Sequence, residues 1–390
     1  MRICFLDGNF PEKDGSGGGG AGWYIKTIGK QHIRDGHTVL ILKSVPNGSK
    51  KSYVDRNGIE VVHFTLSSRF LTYLSKVLIL NSLVRPLAFI ANSWTAYKVL
   101  LSQNKKKKID IVESVDGGNI WLSIINKFTF IEHLHCSRYT IKDQCSLPTS
   151  ISEAYERKLQ LMTIKSANAV TSPSKAMLKI VEKEMNCEME NKTFIPLCVE
   201  KFKSKEKKND KRIKLIFASR NDALKGGDLL LKAIKEVNVK HIDKTKYFFV
   251  GFEPVSTSVY PSNIIFKNFI RRKNLLKLYE DCDIALLPSF FDNSPMFLYE
   301  SMAAGMPVIA TNIGGIPELV NHGNSGFLFE KHNYKQLSKF IIELVENHDK
   351  RIWMGKNAQN FIRKYASIQK IAEKKINLYE KAIERSNRKL

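Results

Sequence analysis

Short apolar runs alternate with amphipathic segments of helical spacing, and a chain built this way has few folds open to it. MRICFLD is the first run. A glycine-rich stretch follows at 15–22, and residues 23–35 carry helical spacing that Gly36 stops. TVLILK at 38–43, IEVVHF at 59–64, IDIVES at 109–114 and FIEHLH at 130–135 continue the series, and ANAVTSPS at 167–174 follows a long amphipathic segment. Runs this apolar suit strands buried on both faces, with the intervening helices as cover, so the pattern predicts a parallel, doubly wound sheet.

The pattern is interrupted once and then restarts. KFKSKEKKNDKRIK at 201–214 carries eight bases and two acids and is too polar to join a core. Beyond it come the runs KLIFAS (214–219), YFFVGF (247–252), IIFKNF (264–269), IALLPS (284–289) and PVIAT (307–311), with helix-like segments between them. The fold class expected is therefore α/β, with two Rossmann-like doubly wound domains facing across a cleft and ligands at the carboxyl ends of the strands. The boundaries expected are 1–200 for the first domain, 201–212 for a basic linker and 213–365 for the second. A helical tail at 366–390 is expected to pack back toward the first.

Charge narrows the partners. Sixty-two Lys and Arg against 38 Asp and Glu give a formal net charge of +24, which favours an anionic partner. Nucleic acid would need a recognition motif or an aromatic-basic platform, and the sequence has neither. A phosphorylated substrate and anionic lipid remain, the lipid because residues 65–101 mix Phe70, Leu71, Tyr73, Leu74, Leu78, Leu80, Leu87, Phe89 and Trp94 with Arg69, Lys76, Arg85 and Lys98. No run reaches the roughly 18–20 apolar residues of a spanning helix, and no signal-peptide core opens the chain. The expectation is a cytoplasmic protein, peripheral at the inner face of the membrane. No obligate protein partner is evident. The six cysteines form no CxxC pair and no metal-ligand spacing.

Four constellations could carry chemistry. In PSFFDNSPMFLYESMAAGMPVIATNIGGIPELV at 288–320 an apolar run ends at Ser289, and the polar loop Asp292-Asn293-Ser294-Pro295 opens a helix that carries Glu300. Unpaired N–H groups at a helix start favour electron-rich ligands, and a carboxylate one turn further in can accept from vicinal hydroxyls. In ASRNDALKGGDLLLKAI at 218–234, Arg220 directly follows a strand and Lys225 precedes two glycines and a helix, two cations suited to a diphosphate. Gly17 to Gly20 and Gly22 would let backbone approach a phosphate or sugar. His135, at the end of FIEHLH, could bond a sugar hydroxyl. Each has a plain structural explanation when taken alone: a capping Asp, a solvated cation, a turn, a satisfied histidine.

Together they resemble the retaining, nucleotide-sugar-dependent glycosyltransferases of family 4, which have the GT-B fold. The resemblance runs from GGAGWYIKTIGKQHIRDGHTV (19–39) through ANAVTSPSKAM (167–177) and the Lys225-Gly226-Gly227 segment to PELVNHGNSGFLF (317–329). The family's Glu-x7-Glu signature stands here as Asp292 and Glu300, Asn293-Ser294-Pro295 replaces the usual Gly-Phe-Gly, and Leu197 to Glu200 is a less usual domain junction. The resemblance implies that Glu300 binds the donor ribose, while Asp292 and the stretch Asn293, Ser294, Pro295, Met296 and Phe297 hold the transferred sugar. Arg220 and Lys225 would neutralise the leaving diphosphate, Phe269 and Ile270 would lie against the base, Gly19 and Gly20 would reach the diphosphate on closure, and His135 would contact the donor sugar.

The function so implied is transfer of a hexosyl-type sugar from a nucleotide-sugar donor to a hydroxyl of a lipid-linked or saccharide acceptor, with retention, in cell-surface polysaccharide, lipopolysaccharide or glycolipid synthesis. The nucleotide sugar is a co-substrate, and no cofactor and no metal are expected, since two cationic side chains take a metal's place and no Asp-x-Asp motif lies in the donor segment. The other readings are a nucleotide-sugar epimerase of the same fold, a nicotinamide-dependent oxidoreductase and a non-catalytic scaffold.

Overall fold

The computed structural model describes residues 1–13, 17–45, 52–66, 81–200, 202, 212–253 and 259–388. It divides into two compact units, Met1–Pro196 together with Ile368–Leu390, and Leu197–Ser367. Of the basic stretch at 201–212, only Phe202 and Arg212 fall among the described residues, so the expected linker lies almost wholly outside them. Of the aromatic-basic stretch at 65–101, residues 67–80 lie outside them too.

The first unit contains β1 (Arg2–Leu6), β2 (Thr38–Val45), β3 (Tyr53–Val54), β4 (Glu60–Thr65), β5 (Ile111–Val115), β6 (Phe130–His133), β7 (Ala169–Ser172) and β8 (Lys192–Phe194). They form one sheet in the order β3-β4-β2-β1-β5-β6-β7-β8, parallel except where β3 meets β4. Ile3, Phe5, Val39, Ile41, Val112 and Ile131 are fully buried in it. Chain order reverses between β1 and β5, which makes that boundary the switch point where a crevice opens. The final helix, Ile368–Arg388, belongs to this unit and buries Ile371, Ala372, Lys375, Leu378, Tyr379 and Ala382.

The second unit contains β9 (Ile213–Ala218), β10 (Thr245–Val250), β11 (Ile264–Lys267), β12 (Ile284–Leu287), β13 (Val308–Thr311) and β14 (Gly326–Phe329), in the order β11-β10-β9-β12-β13-β14. Every pairing is parallel. Leu215, Phe249, Ile284, Leu286 and Ile309 pack with Leu230 and Ile234 of the helix Gly227–His241 and Ile341 of the helix Tyr334–Glu346 in one core. Here the order reverses between β9 and β12.

Two details depart from the sequence pattern. The run FIEHLH is strand only to His133. Leu134 still donates to the Thr171 carbonyl at 2.7 Å, but His135 lies in the loop beyond. The short strands β3, β8 and β14 have no strong apolar alternation to announce them, and they are held by pairing with an existing edge.

Candidate functional site

The switch point of the second unit gathers the loops that follow β9, β12 and β13. Asp222 caps a short 3-10 turn, Ala223–Lys225, by accepting from the Leu224 amide at 3.0 Å. Gly226 follows at φ +74, where a Cβ would stand 2.0 Å from the Pro288 carbonyl oxygen, so only glycine lets the two loops come together. Phe290 then donates its amide to the Leu224 carbonyl at 2.7 Å. On the other side Gly315 donates to the Asp292 carbonyl at 3.2 Å, and a Cβ on Gly314, at φ +53, would stand 2.1 Å from that oxygen. The loop that carries Asp292 is thus held by backbone from both neighbouring loops, at Pro288 and Phe290 on one side and at Asp292 on the other.

Two cation–carboxylate pairs occupy this frame. Lys225 Nζ lies 2.6 Å from Asp292 Oδ2, to which Ser289 Oγ also donates at 3.3 Å. Both side chains of the pair are mostly buried, at 20% and 14% exposure. Deeper, Arg272 Nη2 lies 2.5 Å from Glu300 Oε1, and the Tyr279 hydroxyl donates to the same carboxyl group. Burial pushes the Glu300 carboxyl above its ordinary range while Arg272 opposes the rise. Glu300 stands in the helix Met296–Ala303, all of whose residues are buried. Pro295 opens that helix without a side-chain cap, Asn293 is buried, and Ser294 Oγ is 2.9 Å from the Tyr299 hydroxyl.

Among the residues expected to act, Lys225, Asp292 and the stretch from Asn293 to Phe297 therefore meet at one switch point. Arg220 is exposed at the carboxyl end of β9, and Phe269 is 71% exposed beyond β11, with Ile270 half-buried beside it. Gly19, Gly20 and His135 belong to the first unit. Gly19 caps the helix Gly20–Arg34, and a Cβ there would meet nothing within 4 Å, so local packing does not require a glycine. The His135 ring lies 4.4 Å from that of His133, centroid to centroid, and burial pushes its imidazole down to about 3, with Lys375 adding to the effect, which keeps it neutral. Arg272 and Tyr279 are the partners that sequence reasoning missed. Among the described residues no group of three or more His, Cys, Asp or Glu is placed to hold a metal ion.

Residues 199–361 match the family model described as Glycosyl transferases group 1. The matched stretch spans almost the whole of the second unit. An uncharacterised glycosyltransferase of Methanocaldococcus jannaschii is 32% identical over 147 residues, covering 36% of this chain and 41% of that protein. The chain spans between about three-tenths and one half of the length of the curated relatives it matches. Among solved structures, the sucrose-phosphate synthase of Thermosynechococcus elongatus aligns with a TM-score of 0.76 at 16% identity, over 97% of this chain and 98% of that one. Anabaena HepE in complex with UDP-glucose aligns with a TM-score of 0.68 at 18% identity, over 100% of both chains. The fold is GT-B.

Proposed function

We propose that this protein is a retaining glycosyltransferase that moves a sugar from a nucleotide-sugar donor to a hydroxyl acceptor in cell-surface polysaccharide or glycolipid synthesis. The observation that carries this reading is the pair of cation–carboxylate contacts at the second unit's switch point, inside a glycosyl transferases group 1 domain. The HepE complex with UDP-glucose supports a nucleotide sugar as donor. Neither an epimerase nor a nicotinamide-dependent oxidoreductase gains support from the family match or the structural neighbours.

In this reading Glu300 receives the ribose hydroxyls, while Asp292 and the backbone from Asn293 to Phe297 hold the sugar, and Phe269 and Ile270 lie against the base. Breaking the anomeric C–O bond builds positive charge on the ring and negative charge on the diphosphate. Arg220 and Lys225 stabilise the diphosphate as preorganised cations, so the step requires no metal ion. Retention follows when the acceptor oxygen attacks from the face the diphosphate leaves: the new C–O bond forms as the old one breaks, and the hydroxyl proton passes to the departing phosphate oxygen. A thermal-shift screen of nucleotide sugars tests the donor assignment. A bound donor raises the midpoint by mass action, and a panel that leaves it unmoved counts against the reading.

The same reading places the enzyme at the inner face of the membrane. Among the described residues no helix is long and apolar enough to cross one. Leu87, Ile90, Ala91, Trp94 and Trp121 line an open apolar surface on the first unit, with Leu87 48% and Trp94 36% exposed. Aromatic side chains of this kind settle at the headgroup level, and the chain's positive charge adds attraction to anionic lipid. Co-sedimentation with anionic vesicles, weakening as salt rises, is the expected result. Equal binding to neutral vesicles, or no binding to either, would contradict it.

A further inference from the structure

The loops that leave β5 and β6 in the first unit are tied together by one carboxylate. Beyond β6 the chain is pinned at Leu134, whose carbonyl accepts from Ser172 Oγ at 3.2 Å. It is pinned again at Ser137, whose Oγ accepts from the Thr140 amide at 3.1 Å and caps the helix Arg138–Gln144. His135 and Cys136 stand between these two anchors. Both give their backbone amides to Asp116, the first residue after β5, with Cys136 N 3.2 Å from Oδ2. The Asp116 amide in turn donates to the His133 carbonyl at 3.2 Å.

The residue type matches the position. Asp116 sits at φ +51, in the left-handed region that Asp and Asn enter more readily than other side chains. Of those two, Asp alone meets two N–H groups with two charged oxygens, where an amide has one uncharged oxygen and a donor. Burial pushes the Asp116 carboxyl from the usual 3.8 up to about 6, against the pull of the two amides and of Arg157 on the helix Ile151–Ser166. Glu184, on the helix Lys175–Met185, adds to the rise, and Glu132 is the other acid facing it. Asp116 therefore gives up its charge at a pH where an exposed aspartate keeps it. The His135 imidazole, at about 3, stays neutral through that range.

The two amides that Asp116 accepts from belong to the peptide planes on either side of the His135 Cα. Those planes fix the residue's backbone angles, and so the direction in which its side chain leaves the chain. We propose that Asp116 is the positioning residue that aims His135, by holding both flanking peptide planes through charge-assisted hydrogen bonds. Loss of the charge loosens both planes while the imidazole itself is unchanged. Catalysis then falls on the acid side without His135 titrating. The link to catalysis rests on the transferase reading above; the hold on the loop rests on the hydrogen bonds alone.

Proton–nitrogen NMR on the full chain, isotope-labelled at histidine and cysteine nitrogen, follows the two amides directly. In the wild type the His135 and Cys136 amide signals are expected to shift together as pH falls, with a midpoint near 6. Asp116→Asn keeps the left-handed backbone and removes the charge, so neither signal should titrate there. The catalytic arm is consumption of UDP-glucose, UDP-N-acetylglucosamine, GDP-mannose or ADP-glucose, whichever is turned over with a hydroxyl acceptor mixture. Asp116→Asn is expected to lower kcat about tenfold well above the midpoint, to move donor KM much less, and to lack the wild type's acid limb. Amides that do not titrate, or that titrate equally in Asp116→Asn, overturn the proposal. A kcat of the same size and pH dependence in both proteins overturns it too. Should the variant fail to fold, the wild type decides: an acid limb whose midpoint departs from that of the two amides sinks the assignment. No donor consumed by the wild type contradicts the transferase reading and takes the catalytic role with it, while the amide titration still decides the hold on the loop.

Discussion

Lys225 and Asp292, 67 residues apart, hold each other at 2.6 Å across the switch point of the second unit. The sequence pattern offers the first as a phosphate cation, and the family resemblance implies the second as a sugar ligand. Their contact means that a bound donor must compete with one for the other, which gives the two residues opposite signatures. Lys225→Ala should weaken nucleoside-diphosphate binding by about tenfold or more, the scale of one charge-assisted hydrogen bond. Asp292→Ala frees the lysine and should leave that affinity equal or higher while sugar transfer is lost. Calorimetry on the two variants checks this, and equal weakening in both would contradict it.

Glu300 is tied to Arg272 across 28 residues. Glu300→Gln keeps the shape and removes the charge, so donor affinity should fall by about tenfold, and the Arg272 guanidinium loses its carboxylate. Arg272→Lys replaces a planar fork with a point charge and should also weaken donor binding, through a misplaced Glu300. Unchanged donor affinity in both variants would remove Glu300 from the site.

The last helix is fastened to the first unit by a buried ion pair. Lys375 Nζ, on a side chain with no exposed surface, lies 2.7 and 2.8 Å from the two Glu113 oxygens, and the Tyr379 hydroxyl donates to Glu113 at 2.6 Å. Removing one member leaves a buried charge without its partner, so Lys375→Ala should cost about 3–5 kcal/mol. Lys375→Met combined with Glu113→Leu should recover most of it. Urea midpoints decide, and a double variant no more stable than Lys375→Ala would contradict the account.

Glu132 gives the stability an alkaline slope. Burial pushes its carboxyl from the usual 4.5 up to about 8, although the Gly117 amide donates to it at 2.8 Å. The native state therefore keeps a proton that the unfolded chain releases. This contribution is fully present below pH 4.5 and is lost as pH rises through 8, by at most about 1.4 kcal/mol per pH unit. Glu132→Gln carries no such proton and should lose less stability between about pH 6 and pH 8. Identical slopes of urea midpoint against pH in the two proteins would contradict it.

Both sheets were legible because buried parallel strands read as apolar runs, and nothing in the chain competes with that signal. Individual members of the site were legible for a similar reason: Asp292 and Lys225 stand just beyond such runs. Their pairing was not, since a contact across 67 residues leaves no local pattern. Arg272 opens an ordinary helix and meets Glu300 only once the second sheet is assembled, with β10 and β9 between β11 and β12. Glu113 interrupts an apolar strand, and its partner lies 262 residues on.

The central claim is transfer from a nucleotide sugar, and proton NMR of the anomeric region tests it most directly. With an α-linked nucleotide-sugar panel, a hydroxyl acceptor mixture and EDTA present, the account predicts that the wild type converts one donor into nucleoside diphosphate and a new α-linked glycoside, and that Lys225→Ala does so far more slowly. A β-linked product, conversion that resumes only when a divalent metal is added back, or no donor consumed at all would contradict it.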